Sequence, residues 1–280
     1  MILEGRQVRR LDGVGFAAHL LQWQKLRTSR ISIRAPTFVH VVQGLKTVYD
    51  GRNTWTVAPG QLGVLPSGLY DLTNDPGATG VYEARSLSIE LESVAPGPLA
   101  SRFTGPASSA FVVSRCGDDL LDAFGRARRA ILTEGFPLDV ARHRVLEVLE
   151  WMRSRGYRLP APEPRTTSDS VRDLITSSPA TGWTAPAVAA ELCVSAQTLR
   201  RRLQQQGESF SGILFDVRMS CALGLLQSTS MPVLQIALAC GYDSPSRFTA
   251  RFRERFGFTP TAVRKSNTST VGAGPSIAAV

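Results

Sequence analysis

Histidine is scarce in this chain, with three in 280 residues, at positions 19, 40 and 143. A metal centre needs three or four nitrogen, sulfur or oxygen donors brought together. Histidines this sparse and this far apart supply no such set, so no metal and no other cofactor is expected. The four cysteines, Cys116, Cys193, Cys221 and Cys240, include no Cys-x-x-Cys pair. Three of them fall at expected buried helix positions, and all four read as small core residues of a reduced compartment. No signal-peptide pattern opens the chain, and no apolar run approaches the length of a membrane span. A cytoplasmic protein with no membrane partner is expected.

Lysine is rarer still in proportion: Lys25, Lys46 and Lys265 are the three in the chain, so nearly all of its 32 basic residues are arginine. Against 23 acidic residues this leaves a net charge of +9, a balance that favours polyanionic partners without saying anything about fold. The excess is +5 over residues 1–165 and +4 over residues 166–280. Arginine suits bidentate contacts to phosphate and guanine. A chain 43% hydrophobic and 20% charged is ordinary for a globular protein, and its length allows more than one domain.

Residues 1–30 read as a lead-in with a short amphipathic piece around Phe16 to Leu21. From Arg30 short β runs follow at 31–33, 37–42, 46–49, 54–57, 62–65 and 84–89, separated by Gly/Pro/Asn turn signals. That spacing predicts a small antiparallel barrel or sandwich. Two helices are expected at 118–134 and 137–155. The first buries Leu121, Phe124, Ala127 and Ile131; the second buries Val140, Val145, Val148, Leu149 and Met152. One of them could expose an apolar seam to a second copy of the chain. Three prolines at 160, 162 and 164 mark an interdomain linker at 158–168. The Ser/Thr/Gly/Ala-rich tail, 266–280, is expected to be disordered.

The stretch 232–260, PVLQIALACGYDSPSRFTARFRERFGFTP, holds an Ala-rich helix, a Gly-containing turn and a second helix. In that second helix Phe248, Phe252 and Phe256 form an apolar stripe at i, i+4, i+8, with Arg247, Arg251, Arg253 and Arg255 on the other faces. The layout is a helix-turn-helix. It recurs at 183–207: Val188-Ala189 aligns with Ile236-Ala237, Cys193 with Gly241, and Leu199 and Leu203 with Phe248 and Phe252. The offset is 48 residues in the first helix and 49 in the second. Two copies of a basic-faced motif are hard to explain as surface solvation. Between them, 209–227 is expected to be a helix with Phe210, Leu214, Val217, Cys221 and Leu225 on one stripe. At roughly 28 Å long, it would let two recognition helices reach adjacent major grooves about 34 Å apart.

Residues 169–264 resemble the DNA-binding domain of AraC/XylS-type bacterial transcription regulators. The match runs through Val188-Ala189, Ser195, Leu199 to Leu203, Gly207, Phe210, Arg218 and Leu225-Leu226. It continues through Ile236-Ala237, Gly241-Tyr242, Ser244, Ser246, Phe248, Phe252, Phe256-Gly257 and Thr259-Pro260. The Gly/Pro spacing of residues 42–66 resembles the core of cupin barrels. Metal-dependent cupins carry a His-x-His pair, a nearby Glu and a later His; here His40 stands alone in that stretch, and an ordinary strand residue is expected. The resemblance implies an α+β multidomain chain: a cupin-like regulatory or dimerisation domain at 1–157, the linker, and an AraC-type DNA-binding domain at 169–265 whose all-α fold joins its two helix-turn-helix motifs by a linker helix. It implies a DNA-binding regulator, an activator, and not an enzyme. Its helices 196–206 and 246–256 would read double-stranded DNA, and RNA polymerase would be a partner. The DNA-contacting positions would be Gln197, Thr198, Arg200, Arg201 and Arg202 in the first copy, and Ser246, Arg247, Thr249, Ala250, Arg251 and Arg253 in the second. Gln197 suits adenine, Arg200 or Arg201 suits guanine, and Arg202, Arg251 and Arg253 suit phosphates.

Two departures weaken the second copy as a base reader: Ala250 stands where the family commonly has arginine, with Arg251 about 100° further round, and Val263 replaces an aromatic before Arg264. The N-terminal domain would respond to a small-molecule effector or hold a homodimer through helices 118–134 and 137–155. Candidate effector contacts are Trp23, Phe38, Trp55, Tyr70 and Tyr82 as apolar liners, and His19, Lys25 and Arg34 as anchors. The competing readings are a DNA-binding regulator controlled by a protein partner and a cupin enzyme fused to a DNA-binding domain.

Overall fold

Residues 7–105, 109–160 and 166–263 are described by the computed structural model. The expected tail, Arg264 and linker residues 161–165 lie outside them. The chain divides into two units, Met1–Pro162 and Glu163–Val280.

Strands begin much earlier than the sequence pattern suggested. The expected lead-in forms β1 (Val8–Leu11), β2 (Gly15–Gln22) and the start of β3 (Leu26–Ile33). After them come β4 (Thr37–Gln43), β5 (Leu45–Tyr49), β6 (Thr54–Val57), β7 (Leu62–Leu65), β8 (Gly68–Asp75) and β9 (Tyr82–Ile89). β2 is a strand because its whole length pairs with β9, from Gly15 opposite Ile89 to Gln22 opposite Tyr82. β8, reading GLYDLTND, carries poor strand formers and no apolar run. It is a strand because β3 and β5 pair with it on both sides. Two single-turn helices, α1 (Leu91–Val94) and α2 (Pro98–Ser101), precede the two-residue β10 (Thr104–Gly105) and the short β11 (Phe111–Val113). Helices α3 (Gly117–Leu132) and α4 (Leu138–Ser154) follow, then β12 (Leu159–Pro160).

The strands form two antiparallel sheets, ordered β1-β2-β9-β4-β7-β11 and β3-β8-β5-β6, besides a short parallel β10–β12 pair. Because side chains alternate across a strand, the first sheet feeds two cores. Val39, Val41, Tyr82 and Ala84 join Val48, Val57 and Tyr70 between the sheets. Phe38, Leu87 and Ile89 point the other way, into a core completed by α3 and α4. Within α4 the buried residues are Ala141, Val145, Val148, Leu149 and Met152. Val140, expected on that stripe, is 43% exposed, since the core-facing step at the start of the helix falls on Ala141. Arg128 of α3 is buried and ties the helix to the sheet. Its Nη2 donates to the Ala18 carbonyl (2.9 Å) and its Nε to the Ser86 carbonyl (3.2 Å).

The second unit is helical: α5 (Thr167–Ser177), α6 (Ala185–Glu191), α7 (Ala196–Gln205), α8 (Phe210–Ser228), α9 (Val233–Ala239) and α10 (Pro245–Phe256). Hydroxyl caps start most of them. Thr166, Thr184, Ser195, Ser209 and Ser244 each accept from a backbone N–H of the first turn, satisfying donors that have no partner inside the helix. α8 departs from the expected single stripe. Phe210, Leu214, Val217, Cys221 and Leu225 are only half-buried, while Ile213, Met219, Ala222, Leu223 and Leu226 are buried. Over Phe210–Gln227 it is long and apolar enough to cross a membrane by length and composition, contrary to the expectation that no run approaches that length. It is apolar on several faces because α5, α9 and α10 all pack against it.

Candidate nucleic-acid interface

In the first helix-turn-helix, Val188 and Ala189 of α6 and Leu199 and Leu203 of α7 join one core with Val171, Ile175 and Ile213. The turn between α6 and α7 is closed by hydrogen bonds from Cys193 N to Ala190 O (3.0 Å) and from Val194 N to Ala189 O (2.9 Å). Ser195 Oγ then accepts from Thr198 N at 3.0 Å and starts α7. With leucines 199 and 203 turned inward, Gln197, Thr198, Arg200, Arg201 and Gln204 line one shallow surface depression.

The second motif repeats the construction. Gly241 N bonds to Leu238 O (2.9 Å) and Tyr242 N to Ala237 O (3.0 Å), and Ser244 caps α10 at Arg247 N (3.3 Å). Phe248, Phe252 and Phe256 are buried, and their rings meet along the helix in tilted pairs at 5.8 and 4.7 Å between centroids. The outward side of α10 forms a depression lined by Pro245, Ser246, Thr249, Ala250 and Arg253 together with Thr259.

The structure thus brings together four of the five expected positions in the first copy and Ser246, Thr249, Ala250 and Arg253 in the second. Arg202 and Arg247 are exposed beside these depressions rather than in them. Arg251 is directed elsewhere: Nη1 pairs with Glu254 Oε2 at 2.7 Å, and its guanidinium lies 4.4 Å from the centroid of the Phe215 ring on α8. Thr259 was not among the expected positions, since it follows the helix rather than lying on it.

The expected effector contacts in the first unit are not gathered into one site. Phe38 belongs to the core against α3 and α4. Tyr70, Trp55 and Tyr82 belong to the core between the sheets. Lys25 is exposed and paired with Asp75 at 2.7 Å. His19 sits 2.9 Å from Glu83 Oε1, and burial holds its pKa below the usual histidine value despite that carboxylate. Trp23 and Arg34 are half-buried. His40 packs edge-on to Phe124, with 6.1 Å between ring centroids. Among the described residues no His/Cys/Asp/Glu group could hold a metal ion.

A polar set that sequence reasoning missed lies where the two sheets meet. Lys46 is 4% exposed. Its Nζ donates to Asn74 Oδ1 at 2.9 Å, and Asn74 Nδ2 donates to the buried Gln22 at 3.2 Å. Burial pushes the Lys46 ammonium down to about 8. Nearby, the ring of Tyr82 lies 6.0 Å from Lys46 Nζ; the Tyr82 hydroxyl is buried and has no hydrogen-bond partner among the described residues. Period-two alternation with the inward-facing Val48 was the available signal for Lys46.

Residues 188–266 match the family of helix-turn-helix domains. Transcriptional regulator SirC of Salmonella typhimurium is 37% identical over 101 residues, 36% of this chain and 34% of that protein. The urease operon transcriptional activator of Escherichia coli is 35% identical over 108 residues, 39% and 36% of the two chains. The regulator GadX of Escherichia coli K12 is 32% identical over 98 residues, 35% and 36%. The match therefore spans about a third of these relatives' length. ToxT from Vibrio cholerae shares the fold, with a TM-score of 0.62 at 14% identity over 90% of this chain and 98% of that one. A second ToxT structure, with an unsaturated fatty acid bound, gives 0.64 at 14% identity over 95% and 99%. The C-terminal unit is thus similar to helix-turn-helix domains of transcriptional regulators, and it is preceded in the chain by a unit built of antiparallel sheets.

Proposed function

We propose that this chain is a sequence-specific DNA-binding transcription regulator that reads two successive major grooves with α7 and α10. The observation that carries this reading is the repeated construction itself: two helices, each with an apolar stripe inward and an arginine-bearing depression outward. In α7, Gln197 and Arg200 or Arg201 present the donors that pair with adenine and guanine edges, and Arg202 lies to the side for phosphate. In α10, Ser246, Thr249 and Ala250 offer short side chains with little directional hydrogen bonding. This half grips the backbone through Arg247 and Arg253 more than it reads bases. Both copies run in the same chain direction, so one molecule takes an asymmetric site of about two turns. The name of one relative, a urease operon transcriptional activator, favours activation; in that role the chain would work with RNA polymerase on the cytoplasmic nucleoid. Selection of duplexes from a random library by the full chain tests the reading; recovery of no preferred sequence would overturn it.

The sheet-built unit is the regulatory half in this reading, cupin-like in layout and taking a small acidic, apolar effector. Two observations favour that chemistry. A protein of the same fold has been seen with an unsaturated fatty acid bound, and the buried Lys46 ammonium has no paired carboxylate among the described residues. An effector carboxylate would neutralise it. Melting of the full chain with and without oleate tests this, and an unchanged midpoint would count against it. Dimerisation through α3 and α4 is the second control route, favoured by the exposed Leu138 and Val140 at the start of α4.

A further inference from the structure

The two helix-turn-helix motifs do more than share a helix. Arg218, midway along α8, donates from Nε to the Pro179 carbonyl (3.0 Å) and from Nη2 to the Thr181 carbonyl (2.9 Å), both in the loop between α5 and α6. Its guanidinium also lies 5.8 Å from the centroid of the Tyr242 ring, in the turn of the second motif. One planar cation therefore bridges the first motif's entry loop and the second motif's turn. Gly241 makes the approach possible. A Cβ there would stand 2.4 Å from Arg218 Nη2 and 2.9 Å from the Pro179 oxygen.

A second pair of contacts lies one turn earlier on α8. Arg251 of α10 stacks on Phe215, and Arg255 Nε pairs with Asp216 Oδ1 at 2.9 Å with its side chain nearly buried. Phe215 and Asp216 lie between Leu214 and Val217, which pack on the first motif's core. So α10 is held by the segment of α8 that belongs to the first motif. Arg251 and Arg255 are four residues apart and share one side of α10. Five polar or cationic contacts thus remove the freedom that two small helical cores joined by one helix would otherwise keep.

We propose that Arg218, with Arg251 and Arg255, acts as a clasp that sets the distance and rotation between the two recognition helices, so that the protein selects the spacing of two half-sites as well as their sequences. Arg218 is a positioning residue and touches no DNA. The inference rests on the DNA-binding reading above. One added base pair moves the second half-site by about 3.4 Å and turns it by about 35°. A rigid clasp cannot follow that displacement except by deforming the DNA, whereas a released one can.

The test uses the full chain and a duplex selected from a random library, then the same duplex with one or two base pairs inserted between its half-sites. For the unaltered chain, affinity should fall at least about tenfold per inserted pair, the size of a lost base contact. Arg218→Met should bind the parent duplex several-fold more weakly and lose most of the insertion penalty, while Arg218→Lys keeps part of it. Phe215→Leu, which removes the ring beneath Arg251 at little change in volume, should soften the penalty in the same direction. It serves as the second arm should Arg218→Met melt below the assay temperature. An insertion penalty unchanged in the folded variants overturns the clasp, and so does tolerance of insertions by the unaltered chain. Failure to select any duplex overturns the DNA-binding reading itself, a different result from selection without spacing preference.

Discussion

Cys193 and Gly241 stand at the same point of the two helix-turn-helix copies, and both adopt left-handed backbone, at φ 53° and 75°. Each donates its N–H to the carbonyl three residues back, at 3.0 and 2.9 Å. The turn needs that conformation, and only the second copy supplies the residue that takes it without strain.

Among the described residues Cys193 is the single non-glycine at positive φ, and strain of this kind costs on the order of 1 kcal/mol or more. Cys193→Gly should therefore raise stability against urea by about 1 kcal/mol, less whatever the added chain freedom of glycine takes back in the unfolded state. Cys193 is exposed, so no packing is lost. A destabilised variant would show that the strain is already relieved in the native turn.

Phe252 is fully buried, with the rings of Phe248, Phe256 and Phe258 around it at 5.8, 4.7 and 6.0 Å. Truncation to alanine should cost about 3–5 kcal/mol. Urea melting of the full chain checks the magnitude, and a cost below about 1 kcal/mol would mean that the second core collapses around the gap.

Arg200 is exposed and lines the α7 depression with Gln197 and Arg201. Arg200→Ala should weaken binding to a selected duplex by about 1–3 kcal/mol and relax preference at one base position. An equal loss on every sequence, together with a smaller salt dependence, would make Arg200 a phosphate contact instead.

Lys46 carries a pH dependence whose sign follows from its burial. Its ammonium is pushed down from the ordinary 10.5 to about 8, so between those values the unfolded chain binds more protons than the folded one, and stability from this group rises with pH. The destabilisation is fully present below about pH 8 and fades toward pH 10.5. Its upper size is on the order of 3 kcal/mol. Lys46→Met removes it but also strips Asn74 Oδ1 of its donor. The variant's advantage over the unaltered chain should therefore be largest at pH 7 and shrink as pH rises to 10; calorimetry at both values checks this, and a pH-independent difference would contradict it.

The helical unit was the more legible half. Its information is local: an apolar stripe every three or four residues and a hydroxyl cap before each recognition helix, both written twice, with a glycine at the turn of the second copy. The bases of the sheet unit were less so. β8 has no apolar pattern because its strand character comes from β3 and β5 pairing to its two edges, and β2 looked like an amphipathic lead-in because its partner, β9, lies some sixty residues further along. The placement of the effector candidates was not legible for the same reason, since which face of a strand looks between the sheets depends on partners far away in the chain.

From the residues alone, then, came the existence of two motifs, the inward leucines and phenylalanines, and the outward Gln197, Arg200 and Arg201, because a helix's faces follow from its own 3.6-residue period. Tertiary structure alone decided which outward arginines are engaged by neighbouring helices. Arg251 and Arg255 look like surface charge in the sequence, yet Phe215 and Asp216, which engage them on α8, are brought there by packing between elements that no local period encodes. It also decided that the left-handed turn of the first copy falls on Cys193, and that Gly241 is required where Arg218 and the Pro179 carbonyl leave no room for a side chain.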